Sequence, residues 1–68
     1  MRTYGKLREK IKAAFGTIGD FAAAMDKDRS TISNKLNGLS AWSQDEIEKS
    51  CKLLGISMNE VYDYFFYQ

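Results

Sequence analysis

Residues 17–38 read TIGDFAAAMDKDRSTISNKLNG, and this stretch decides the fold. Thr17 offers a side-chain acceptor to cap a helix, and Asp20 stands in the first turn, where the helix dipole favours a carboxylate. Phe21, Ala22 and Met25 then fall on one side at helical spacing. The pattern stops at Asp26 and Lys27. Asp28 caps a further helix running to Leu36, with Ile32 and Leu36, four residues apart, as its inward face. Asn37 and Gly38, tolerant of left-handed backbone, end it. The turn between the two helices is too brief to let them lie antiparallel, so they cross steeply as a helix-turn-helix. Ala22 provides the small side chain at the crossing, Asp26 stands where a positive φ opens the turn, and Ile32 closes the contact.

Outward from this motif the chain keeps the same period. Tyr4, Leu7, Ile11, Ala14 and Phe15 form one face of a first helix, capped by Thr3 and ended by Gly16, with Lys6, Arg8, Lys10 and Lys12 facing elsewhere. Downstream, Ser43 with Glu46 and Ser57 with Glu60 each carry the spacing of a capping box. The first opens a helix with Ile47, Cys51 and Leu54 as its stripe, closed by Gly55. The second opens a short fifth helix containing Met58, Val61 and Tyr64 or Phe65. No alternating strand pattern occurs, so the expectation is an all-α fold of five short helices in one domain, residues 1–68.

The chain has 68 residues, one cysteine, no histidine and no proline. It is too short for more than one core, and neither a disulfide framework nor a multi-ligand zinc site can be assembled. No cofactor or metal is expected. Neither a membrane-length apolar run nor a signal-peptide pattern is present, which points to the cytoplasm. Net charge is +1, but it is unevenly distributed. Residues 1–41 hold eight basic and four acidic side chains, whereas residues 42–68 hold two basic and five acidic ones. Different partners for the two halves, or simple balancing for solubility, both account for this.

The segment resembles the helix-turn-helix of lambdoid phage repressors and Cro proteins, carried by Thr17, Ala22, Ser30, Thr31, Ile32, Ser33, Asn37 and Gly38. The stretch EIEKSCKLLGIS and the aromatic tail YDYFFYQ extend the likeness to Cro-like phage proteins over nearly the whole chain. The resemblance implies a lambda-repressor-like domain that binds a double-stranded DNA operator, as a homodimer on palindromic half-sites, in the host-cell cytoplasm. The third helix, residues 28–36, would lie in the major groove with Arg29, Ser30, Ser33 and Asn34 at base edges. Arg29 suits guanine O6 and N7, and Asn34 suits adenine N6 and N7. Thr17, the amides opening the second helix, Lys35, Asn37 and Ser40 would hold phosphates. The chain departs from the family at Ile18, where glutamine is frequent, at Lys35, where an apolar residue is common, and at Asp26 and Asp28, two carboxylates beside a phosphate surface.

Two functions stand against each other. The first is a Cro-like transcriptional repressor that occupies promoters in competition with a second repressor. The alternative is an anti-repressor or modulator that binds another phage repressor protein through its acidic, aromatic C-terminal half or through its helix-turn-helix surface. Near-neutral charge and the carboxylates at the motif favour the second; the Arg29 to Asn34 surface favours the first.

Arg29 and Asn34 are also ordinary residues for a solvated helix face. Asp45 with Lys49 and Glu48 with Lys52 have the spacing of helix-supporting pairs, so the carboxylate cluster is not a catalytic signature. Cys51 lies on an apolar stripe with no histidine to activate it and reads as core. No enzyme is expected. Tyr62, Tyr64, Phe65, Phe66 and Tyr67 exceed what one short helix buries; Val61 and Phe65 are expected inward and the others available to a partner.

Overall fold

The computed structural model describes residues 4–66. The order is α1 (Gly5–Phe15), α2 (Ile18–Ala24), α3 (Arg29–Leu36), α4 (Gln44–Leu54), a 3₁₀ turn (Met58–Glu60) and a π-helical turn (Tyr62–Phe66), with no strand among the described residues. The all-helical expectation holds. The fifth helix takes the form of the 3₁₀ and π turns in succession.

Thr3, expected to cap α1, lies outside the described residues. The helix starts behind Tyr4, whose backbone is left-handed at φ 52° and whose ring is buried. Leu7 and Ile11 face the core as expected, but Ala14 is exposed. Phe15, half-buried, meets Phe21 edge to face at 5.5 Å and takes up the end of that face.

Thr17 Oγ1 accepts from the Asp20 amide at 3.1 Å, which starts α2. The end of α2 is a Schellman closure: Lys27 N donates to Ala22 O and Asp26 N to Ala23 O, with Asp26 at φ 60° in the position usually given to glycine. α3 ends the same way, Leu39 N donating to Asn34 O and Gly38 N to Lys35 O, and Gly38 takes φ 78° without a side-chain clash. Asp28 occupies the cap position of α3 in extended conformation, yet its carboxylate makes no capping bond. The expected side-chain cap is therefore only positional.

The capping box of α4 forms fully, Ser43 Oγ accepting from Glu46 N at 3.2 Å and Glu46 Oε1 from Ser43 N at 2.8 Å. Glu60 Oε1 likewise accepts from Ser57 N at 3.1 Å. The expected pairs of Asp45 with Lys49 and Glu48 with Lys52 do not form among the described residues. Glu48 accepts from Gln44, and Lys49 reaches the Met25 carbonyl instead.

Among the described residues thirteen side chains make the core, drawn from α1 to α4, the loops and the π-helical turn, with Phe21, Phe65, Leu7, Ile11, Ile32 and Leu36 almost fully removed from water. Each contributes roughly 1.5–3 kcal/mol by burial. Phe65 is inward as expected and Val61 half-buried, but Tyr64 is buried too, and Met58 is exposed. The wider i→i+5 turn turns the consecutive residues Tyr64 and Phe65 both inward. Trp42, from the loop after α3, closes the open end of the core edge to face against Tyr4 (6.3 Å) and Phe65 (5.3 Å). None of the described helices is long and apolar enough to cross a membrane.

Candidate functional site

α2, its turn and α3 form one unit because Ala22 and Ile32 are both buried where the two helices meet. That packing aims the N-terminal half of α3 outward. Arg29, Ser30 and Asn34 are exposed on it, while Ser33 is half-buried. The Arg29 stem lies across the first turn of α2. Its Cδ would stand 3.7 Å from a Cβ built on Gly19, so the missing side chain there leaves room for the arginine.

The residues expected to hold phosphates are placed differently. Thr17 is exposed, but its Oγ1 is engaged as the cap of α2. Asn37 Oδ1 accepts from Arg8 Nη2 at 2.7 Å, and the same nitrogen donates to Leu36 O at 2.9 Å. Ser40 is exposed. Lys35 is a correction: its side chain turns inward, 8% exposed, and its ammonium donates to Ala41 O at 2.8 Å and pairs with Glu46 at 3.0 Å. The long stem covers apolar surface where an aliphatic residue would otherwise sit.

Glu46 joins three elements. Its carboxylate accepts from the Ser43 amide, pairs with Lys35, and lies 3.7 Å from Lys27. Burial acts to raise its pKa, but the Ser43 amide and Lys35 outweigh it and hold the carboxyl below the usual glutamate value. The sequence reading missed this role. The capping box marks Glu46, but nothing in the spacing ties it to Lys35 or Lys27. Arg8 was likewise read as part of a solvated face. Its place next to Leu7 and three before Ile11, at the border of the apolar stripe, is the only signal that it could reach another helix.

With Lys27, Lys35 and Arg8 bonded within the domain, the outward charge of the unit is small. Arg29 is exposed, and Asp26 and Asp28, which precede it closely in sequence, line an open depression of 560 Å³ with Ala23, Lys27 and Thr31.

A second exposed surface lies at the C-terminal turns. Met58, Tyr62 and Phe66 are open to solvent, as expected for part of the aromatic tail; Tyr64 is not, and Tyr67 lies outside the described residues. Lys6 sits 5.1 Å above the Tyr64 ring and 3.9 Å from Asp63. Cys51 is buried in the core, and burial, with Glu48 nearby, pushes its thiol pKa up.

The described residues thus form a small all-helical domain with one polar, weakly charged helix face and one exposed apolar turn. The chain belongs to the family described as "Protein of unknown function (DUF739)", whose model matches residues 2–68. It is similar to the solution structure of the modulator of repression of the temperate bacteriophage TP901-1 from Lactococcus lactis. That similarity is 34% identity with a TM-score of 0.84, covering 98% of this chain and 89% of that one. No curated protein matches the chain.

Proposed function

We propose that this chain is a phage modulator of repression, acting by binding its phage's repressor protein rather than by holding an operator. The observation that carries this reading is the inward commitment of the cations around α3. Lys35 is bonded to Glu46 and Ala41 and Arg8 to Leu36 and Asn37, Lys27 stays at the surface 3.7 Å from Glu46, and the exposed Arg29 follows Asp26 and Asp28 in sequence. Affinity for duplex DNA comes largely from neutralising phosphates, so a helix-turn-helix arranged in this way is poorly equipped for tight operator binding. Full-length similarity to a modulator of repression from a temperate phage supports the same reading.

The second reading is a Cro-like repressor that binds operator DNA as a homodimer. It is favoured by the exposure of Arg29, Ser30 and Asn34 on the helix that would enter the major groove.

One experiment separates the two. The purified protein is used to select duplexes from a random library at low and near-physiological salt, and in parallel is titrated calorimetrically with the repressor of the same phage. A modulator yields no preferred sequence and binds the repressor. A recovered palindrome with half-sites about 10 base pairs apart, without repressor binding, would establish the operator-binding reading.

A further inference from the structure

Met58, Tyr62 and Phe66 recur every four residues and are 66%, 63% and 44% exposed, with the rings of Tyr62 and Phe66 stacked at 6.4 Å. Side chains of this size left so open present on the order of 350 Å² of surface, within the range of functional patches on monomers. Phe66 also forms one wall of a cavity of 110 Å³ whose other walls are Tyr4, Ala41, Trp42, Ile47 and Phe65. The walls are apolar. Trp42 nevertheless leaves its Nε1 buried with no acceptor among the described residues. Nε1 has essentially no exposed surface, so the indole is held by its ring contacts with Tyr4 and Phe65 and presents its ring, not its N–H, to the cavity.

These features select an occupant. Lys6 neutralises Asp63 beside the stripe, so no net field draws nucleic acid to it. A second copy laid stripe on stripe would bury only this patch, less than half of the roughly 800 Å² per partner of a stable interface, whereas a segment of a larger partner can fill the cavity and extend beyond the patch. The exposed face of α3, with Arg29, Ser30 and Asn34, is polar, and Leu39, exposed just past its end, is a single apolar side chain against the three of the stripe. A cavity of this size takes one aliphatic side chain, since about 150 Å³ of apolar space accepts benzene.

We infer that the stripe of Met58, Tyr62 and Phe66 and the cavity against Trp42 dock the repressor, an aliphatic side chain of a repressor segment entering the cavity. This assignment rests on the modulator reading.

Trp42 is the only tryptophan of the chain, so it reports on the cavity directly. The full chain, labelled with 5-fluorotryptophan, is titrated with the repressor of the same phage and followed by fluorine NMR and calorimetry, with Met58→Glu, Tyr62→Glu and Trp42→Phe variants whose folding is checked by circular dichroism. The Trp42 resonance is expected to move on binding. Tyr62→Glu and Met58→Glu weaken Kd at least about 30-fold. Trp42→Phe, which changes the wall that the side chain enters, weakens it about tenfold, with its unfolding midpoint measured alongside because the ring also closes the core. Repressor binding that leaves the resonance in place and is unchanged in Tyr62→Glu and Met58→Glu overturns the docking surface while sparing the modulator reading. Absence of repressor binding by the unaltered chain overturns the modulator reading and this inference with it. Concentration-dependent movement of the resonance without repressor assigns the surface to a second copy instead.

Discussion

Lys35 Nζ lies 3.0 Å from Glu46 Oε1, a contact that ties the last turn of α3 to the first turn of α4 with both side chains nearly closed off from water. Removing Lys35 leaves Glu46 with the Ser43 amide and the more distant Lys27 alone, and takes away the donor to the Ala41 carbonyl. Lys35→Ala is expected to lower stability by about 2–3 kcal/mol and Tm by roughly 10 °C or more. Lys35→Met, which keeps the packed stem, should cost less. Urea and thermal unfolding of the two variants measure the difference, and equal losses would show that the packed stem contributes nothing and that the whole loss is that of the ammonium's bonds to Glu46 and Ala41.

The same carboxylate sets an acid limit. Glu46 has a folded pKa below its ordinary value of 4.5, so the folded state binds its proton less readily than the unfolded chain does. Its contribution is therefore fully present above about pH 4.5 and is lost as pH falls through the lower folded value. Stability measured from pH 7 down to 3 should fall in that acid window, and Glu46→Gln should flatten the fall. Glu60, fully exposed, is also lowered, first by the Ser57 amide and then by the Ser57 hydroxyl, so the double variant is the cleaner control.

Asp26 holds φ 60° at the end of α2, a conformation in which a side chain is strained. Asp26→Gly relieves it and is expected to raise stability by a few tenths to about 1 kcal/mol, net of the extra freedom of the unfolded chain. A rise in the denaturation midpoint at unchanged m-value checks this.

Gly19 lies inside α2, where a Cβ would rest at ordinary contact distance from Arg29 Cδ, 3.7 Å, and Thr17 Oγ1, 3.8 Å. Gly19→Ala should gain about 0.5–1 kcal/mol by removing backbone entropy from the unfolded state. Because the added methyl only supports the arginine stem, affinity for the repressor should stay as it is. A destabilised variant would mean that the helices sit closer than this spacing.

Local chemistry was legible in the residue order. The Thr17 cap, the left-handed position at Asp26, the stop at Gly38, the Ser43 and Glu46 box and the alternation of Ile32 and Leu36 with exposed neighbours all follow from interactions within about five residues, where spacing alone dictates who meets whom. So did the exposure of Arg29, Ser30 and Asn34. The fates of the long cations did not follow. Whether Lys35 reaches solvent or Glu46, and whether Arg8 lies in water or on the end of α3, depends on helices brought together by the core, across 11 and 28 residues of chain. A flexible stem of several methylenes serves either end equally well, and only the position of an acceptor chooses between them. The same holds at the C-terminus. Composition declared an excess of aromatics, but the wide turn of Tyr62–Phe66 and the arrival of Trp42 decided that Tyr64 and Phe65 go inside while Tyr62 and Phe66 stay outside. Sequence determined the helices and their ends; the packing of distant segments determined which charges and which rings remain for a partner.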